Sequence, residues 1–262
     1  VFKPTGFGRL ALFEKKGSGN SLTALENAEW DRIVMRFDKV CQLGKKRGVE
    51  ILIDAEESWM RDAADELVEF MMKRYKTLRP IVYNTLQIYR WDRLNYLKQI
   101  HQRAIKSGFK LGFKIVRGAY MEKERERAEK HGYASPICKN KEVTDTNFDD
   151  SLSYIIENLN DISLFVGTHN EKSSYLTMEL MASMNIKKDD NRVWFGQLYG
   201  MSDHISFNLA DKGYNVAKYV PFGPVKDVMP YLIRRAEENT SVAGQTNREL
   251  NLLKTEKKRR RI

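Results

Sequence analysis

An α/β fold made of repeated strand–helix units is predicted by three observations. Short runs of branched and apolar residues recur at 1–4, 50–55, 81–87, 112–118, 164–169, 193–198 and 215–220. Amphipathic stretches at 28–46, 59–75, 94–107, 148–159 and 172–184 lie between them. Polar residues collect at the C-terminal ends of nearly all the runs: Lys3, Asp54 with Glu56 and Glu57, Gln87, Arg117, Thr168 to Asn170, Gln197 and Tyr219. Strand, helix, strand at this pitch gives a parallel sheet. Polar groups at every strand end favour a (β/α)8 barrel, where those ends converge on one mouth. A doubly wound open sheet, the rival, concentrates them at one switch point. Seven runs is one strand short of the barrel.

The first run ends at Lys3. In the second, alternation puts Asp54 and Glu56 on one strand face, and Glu57 stands where the next helix begins. The third ends on Gln87. In the fourth, Lys114 sits between Phe113 and Ile115 in a nearly continuous apolar strand. A lysine inside a barrel is paired or functional. Alternation sends Lys114 and Val116 to one side and Ile115 and Arg117 to the other, unless the strand stops before Arg117. Gly118 and Ala119 let the backbone approach a flat or phosphate-bearing ligand. The plainer reading is a strand end with snorkelling cations.

Residues 132–147 form the longest irregular segment, expected as a loop over one strand end. Thr168, His169 and Asn170 present three hydrogen-bonding groups in a row. Gln197 adds an amide, and Gly200 turns the chain into a helix. The last run leads through Gly223 and Pro224 into a helix that puts Tyr231, Arg234, Arg235 and Glu238 on one face. Two guanidiniums there suit an anion, because the arginine fork matches a carboxylate and keeps its charge. The plainer reading is a solvated face with an Arg–Glu pair at i,i+4.

The 262 residues, 42% of them hydrophobic, are enough for one large α/β domain. No run is long enough to cross a bilayer. Two cysteines, Cys41 and Cys138, make no disulfide framework and point to a reducing compartment. The net charge is +10, but 254–261 hold six basic residues against Glu256, so half of the excess is terminal. We therefore expect a barrel domain over 1–240 and a basic tail over 241–262. The tail reads first as a solvated end, next as a contact for anionic lipid, and last as one for nucleic acid. Val1-Phe2-Lys3, with neither an initiator Met nor a signal-like start, reads as the middle of a longer chain.

Two further motifs are weighed. Gly6-Phe-Gly8-Arg-Leu-Ala11 matches a dinucleotide fingerprint in form only, since Gly17-Ser-Gly19-Asn20 breaks the helix such a loop must open. Asp54, Glu56, Glu57 and His169 would suit a metal-dependent barrel hydrolase. Against a metal site, there is no His-x-His pair, and His101, His131, His169 and His204 are scattered.

The motifs Lys3-Pro-Thr, Asp54-Ala-Glu-Glu, Leu86-Gln-Ile-Tyr89, Lys114-Ile-Val-Arg-Gly-Ala-Tyr120, Gly167-Thr-His-Asn170, Gln197-Leu-Tyr-Gly-Met201, Tyr219-Val-Pro-Phe-Gly223 and Tyr231-Leu-Ile-Arg-Arg-Ala-Glu-Glu-Asn239 occur in that order. Together they resemble the flavin-dependent proline dehydrogenases, the family that includes the first domain of the bifunctional proline utilization A enzymes. The resemblance implies a distorted (β/α)8, TIM-like barrel with its last helix over the mouth. It also implies an earlier strand, bearing an acidic residue, that is absent from this chain.

By that resemblance FAD is the cofactor, and no metal is expected. Gln87, Lys114, Arg117, Gly118, Ala119, Tyr120, Thr168, His169, Asn170, Gln197 and Glu238 would lie near the flavin. Lys114 would sit beside N5, where a cation stabilises the charge of the reduced ring. The substrate would be L-proline. Arg234 and Arg235 would clamp its carboxylate with help from Lys3, while Asp54 would hold Lys3 and balance the cations. Leu198, Tyr120, Tyr219 and Tyr231 would wall the ring, with Tyr219 excluding ring substituents. Lys114, Asp54 and Lys3 form the expected catalytic set. The implied product is pyrroline-5-carboxylate, with electrons passing to a quinone. That implies peripheral membrane association, on the cytoplasmic side of a bacterial inner membrane or in the cytoplasm, or at the mitochondrial inner membrane or matrix. No nucleic-acid partner is expected. A metal-dependent barrel hydrolase and a non-catalytic basic binding module stay open as alternatives.

Overall fold

The computed structural model describes residues 1–226, 228–229, 231–233, 235, 254–255 and 257–260. Six strands form one parallel sheet in chain order: β1 (Ile51–Leu52), β2 (Val82–Gln87), β3 (Leu111–Val116), β4 (Ile162–Gly167), β5 (Val193–Leu198) and β6 (Val216–Tyr219). The sheet curls into part of a barrel. Among the described residues the continuous helices are α1 (Leu10–Gly17), α2 (Ala24–Arg47), α3 (Arg61–Arg74), α4 (Arg93–Ser107), α5 (Met121–His131), α6 (Lys141–Glu157), α7 (Glu171–Ser183) and α8 (Asp203–Asp211). Among the described residues no helix is long and apolar enough to cross a membrane.

Strand alternation builds the core. Ile53, Leu86, Phe113, Ile115, Leu164, Val166 and Phe195 are fully buried. Helices supply the facing layer at helical spacing, such as Leu97, Ile100 and Ala104 from α4 and Phe148, Leu152 and Ile155 from α6. Each buried Leu, Ile, Val or Phe among them contributes roughly 1.5–3 kcal/mol by leaving water. The inner face carries the intervening residues. There Gly112 lies under the Tyr83 ring and Gly196 under the Phe165 ring, so close that a Cβ would meet either ring at less than 3 Å.

Local signals set the element ends. Thr23 and Glu26 form a reciprocal capping box at the start of α2. Gly108 ends α4 in the left-handed region, with φ of 66°. A buried polar cluster pins α3 and α4 to β2. Asp65 receives Arg61 at 2.5 Å, Arg93 at 3.0 Å and the Asn84 amide at 2.7 Å, and Asp92 meets Arg93 at 2.5 Å, so two carboxylates balance the two guanidiniums.

Several boundaries differ from the sequence expectation. The run at 1–4 is reduced to a single bridge, Phe2 to Ile53, because Pro4 opens a helical turn over Pro4–Gly6. β3 stops at Val116, which frees Arg117 from the strand's alternation. α6 begins at Lys141, capped by the Asn140 side chain, so the irregular segment shrinks to 133–140. That segment does lie beside a strand end, with Ile137 bridging Arg90 just past β2. α5, which sequence reading did not single out, follows Tyr120 directly.

Candidate active site

The C-terminal ends of the strands bring most of the expected residues to one mouth. β3 lies beside β2, with Thr85 opposite Lys114. Continuing the β1–β2 register places Asp54 opposite Thr85 in the same row. Asp54 reaches along this row to the Lys114 ammonium. The expectation that Asp54 holds Lys3 is therefore corrected: its direct partner is Lys114. Lys3 instead donates to the Tyr120 hydroxyl at 2.9 Å. Burial pushes the Lys3 pKa down, but the Tyr120 hydrogen bond and the Glu56 and Asp54 charges outweigh it, so the pKa is raised.

The opposite margin of the sheet supplies Leu198 and Tyr219, which pair in register at the ends of β5 and β6. Burial and the Asp54 carboxylate raise the Tyr219 phenol's pKa, with Lys3 pulling the other way. Residues from both margins thus act on one another across the mouth. The Tyr219 and Tyr231 rings lie 5.9 Å apart, and the Arg235 guanidinium sits 5.1 Å over Tyr231. His169 is held neutral, its pKa lowered to about 4 by burial and by the charges of Lys218, Arg235 and His204. Arg235 therefore stands near the end of β4. Arg234 and Glu238 lie outside the described residues.

Other expected residues are committed to the scaffold. Arg117 lies over the Phe148 ring and donates to Asp145 at 2.7 Å, Thr168 at 3.1 Å and Ser173 at 3.0 Å. Asn170 caps α7 by accepting from the Ser173 N–H. His169 meets the Ser202 hydroxyl at 3.0 Å. Gln197 donates to the Thr168 carbonyl and accepts from Ser206, which fixes its amide with one N–H left over. Gln87 is 3% exposed, yet its amide makes a single long hydrogen bond, 3.5 Å to Tyr89. Gly118, at φ 134°, packs on the Tyr89 ring and brings Ala119 and Tyr120 to the rim.

The acidic trio diverges. Asp54 goes to Lys114, Glu56 to Thr5 and Glu57 to Lys123. Among the described residues no three His, Cys, Asp or Glu side chains group around a metal position. Sequence reading missed Glu124, a fully buried residue of α5 that accepts two hydrogen bonds from Ser58. Its signal was faint: it shares a helix face with Ala128, four residues on.

Fold and site define an α/β barrel-type protein with a cation-rich mouth lined by tyrosines. The chain belongs to the proline dehydrogenase family, whose model matches residues 8–248. It is 40% identical over 253 residues to mitochondrial proline dehydrogenase 1 of Dictyostelium discoideum, covering 94% of this chain and 44% of that protein. The human mitochondrial proline dehydrogenase 1 is 37% identical over 241 residues, 91% of this chain and 40% of that protein. The chain thus spans less than half the length of these relatives. The carbapenem antibiotics biosynthesis protein CarD of Pectobacterium carotovorum is 35% identical over 263 residues, the whole of this chain and 67% of that protein. Among solved structures, proline utilization A from Bdellovibrio bacteriovorus superposes with a TM-score of 0.76 at 28% identity, covering 83% of this chain and 22% of that one.

Proposed function

We propose that this chain oxidises L-proline to pyrroline-5-carboxylate, with FAD as resident cofactor and a quinone as the final electron acceptor. The observation that carries the reading is the placing of Lys3 and Arg235. They come from opposite margins of the curled sheet and both face a mouth walled by Tyr120, Tyr219 and Tyr231. A small amino acid fits these groups. Its carboxylate is received by Lys3 and Arg235, with Arg234 completing the clamp. Its ring lies against Leu198 and the tyrosines.

The donor set suits a flavin. A buried amide with one long contact at Gln87, on the inner face, suits a ring edge that alternates acceptors and donors, while Gln197, held between Thr168 and Ser206 of α8, braces the end of β4 from the helix side. Lys114, Gly118, Ala119, Thr168 and His169 would lie beside the flavin; Arg117, just past β3 and tied to Asp145 of α6 and Ser173 of α7, and Asn170, the cap of α7, would support it. FAD supplies the hydride acceptor when bound. The protein's own part is to bind and orient. The gathered cations oppose protonation of the proline amine, keeping available the lone pair that the oxidation needs. Asp54 compensates Lys114, so the cations do not expel one another.

The relatives named as mitochondrial favour a mitochondrial location, and use of a quinone would bring the protein to a membrane surface. A hydroxyproline dehydrogenase of Xenopus laevis is 37% identical over 256 residues, so both imino acids belong in the assay. Tyr219, by crowding a ring substituent, favours proline. The test is an absorption spectrum of the purified protein before and after anaerobic proline. Yellow protein that bleaches supports the proposal; colourless protein inhibited by chelators would replace it with the hydrolase.

A further inference from the structure

Lys3 and Tyr120 touch directly, at 2.9 Å. They are also joined by a second, longer route. Thr5 gives its backbone N–H at 3.0 Å and its hydroxyl at 2.6 Å to Glu56. Ser58 gives its backbone N–H at 2.6 Å and its hydroxyl at 2.5 Å to Glu124. The Glu124 N–H donates to the Tyr120 carbonyl at 2.9 Å in the first turn of α5. With the short peptide links Lys3–Thr5 and Glu56–Ser58, these hydrogen bonds close a ring through Lys3, Thr5, Glu56, Ser58, Glu124 and Tyr120.

Each glutamate caps a helical turn that belongs to another segment. The turns Pro4–Gly6 and Ser58–Met60 follow Lys3 and Glu57, and neither residue's side chain caps its own turn. The open N–H groups are met from outside by a carboxylate, which also suits the partial positive charge there. Glu56 is 6% exposed and Glu124 fully buried. Burying a carboxylate is costly unless it is hydrogen-bonded, so the arrangement is built rather than incidental. What it fixes is the backbone just beyond Lys3 and Asp54.

We propose that Glu56 and Glu124 are positioning residues that hold the Lys3 ammonium and the Tyr120 hydroxyl at the spacing that receives the substrate carboxylate. This rests on the proline-oxidising reading above. Glu124 touches no reactant; it acts through Ser58, Glu56 and Thr5.

The test uses the full chain loaded with flavin. Glu124→Ala is expected to raise KM for proline about tenfold, with kcat and flavin content within about twofold, because one end of the ring is released. Glu124→Gln, which keeps an oxygen for Ser58, recovers most of the loss. Hydrogen exchange gives a readout independent of turnover: the Thr5 amide, which Glu124 does not touch, exchanges about tenfold faster in Glu124→Ala. Should Glu124→Ala not fold, Ser58→Ala removes only the hydroxyl arm and carries the same test at about threefold. Unchanged Thr5 exchange with faster Ser58 exchange would reduce Glu124 to a local cap and overturn the proposal, as would a KM that does not move. A wild-type protein that leaves proline untouched sinks the functional reading instead, and the Thr5 exchange still decides the ring.

Discussion

Lys114 and Asp54, two strands apart, are bonded to each other over Thr85. Both are largely buried, with side-chain exposures of 12% and 17%. The pair explains how a lysine can occupy the inner face of the sheet. It also ties the end of β3 to the segment after β1.

Removing one partner tests this. Asp54→Asn leaves the Lys114 charge uncompensated beside Lys3, and stability falls by about 3 kcal/mol, the usual range for a broken buried pair. Proline turnover drops more than tenfold in the same variant. Denaturant titration and steady-state kinetics on one preparation check both effects. A stable, fully active Asp54→Asn would show that the pair is incidental.

Arg235→Met bears on the carboxylate clamp. Its charge acts near His169, and its guanidinium rests over Tyr231. KM for proline is expected to rise roughly tenfold to a hundredfold, the worth of a charge-assisted hydrogen bond, with flavin still bound. Unaltered kinetics would remove Arg235 from the substrate.

Gly118→Ala addresses the rim. The backbone there has φ of 134°, and an added Cβ would stand 2.5 Å from the Tyr89 ring. Strain and overlap together cost about 2–4 kcal/mol. Thermal unfolding measures the loss, and flavin content falls with it because Ala119 and Tyr120 shift.

His169 gives a pH signature. Its pKa is lowered to about 4, against an ordinary histidine value near 6.5. Between those values the unfolded chain binds the proton and the folded one does not, so stability is complete above about 6.5 and is lost as pH falls towards 4. Replacing His169 by Asn removes up to one proton from this dependence. Denaturation midpoints across that window should therefore vary less in the variant than in the wild type.

Much of the architecture was readable from residues alone. Largely buried strands with polar ends stand out, as β2 and β5 do, because apolar content and a sudden polar residue coincide. α5 did not, since Met121–His131 is charged on nearly every side and its buried face holds only Glu124 and Ala128. The site was legible as a set of residues but not as a set of pairs. Asp54 chooses Lys114 over Lys3 because strand register, a long-range property, brings Thr85 and Lys114 into its row. Arg117 is drawn towards Asp145 because β3 ends one residue before it, which alternation alone does not specify.

Spatial order in this sheet equals chain order. Each new strand docks on the one made just before it and needs no later segment to cover its inner edge. A nascent polypeptide leaving the ribosome can therefore assemble unit by unit, each strand finding its partner already made.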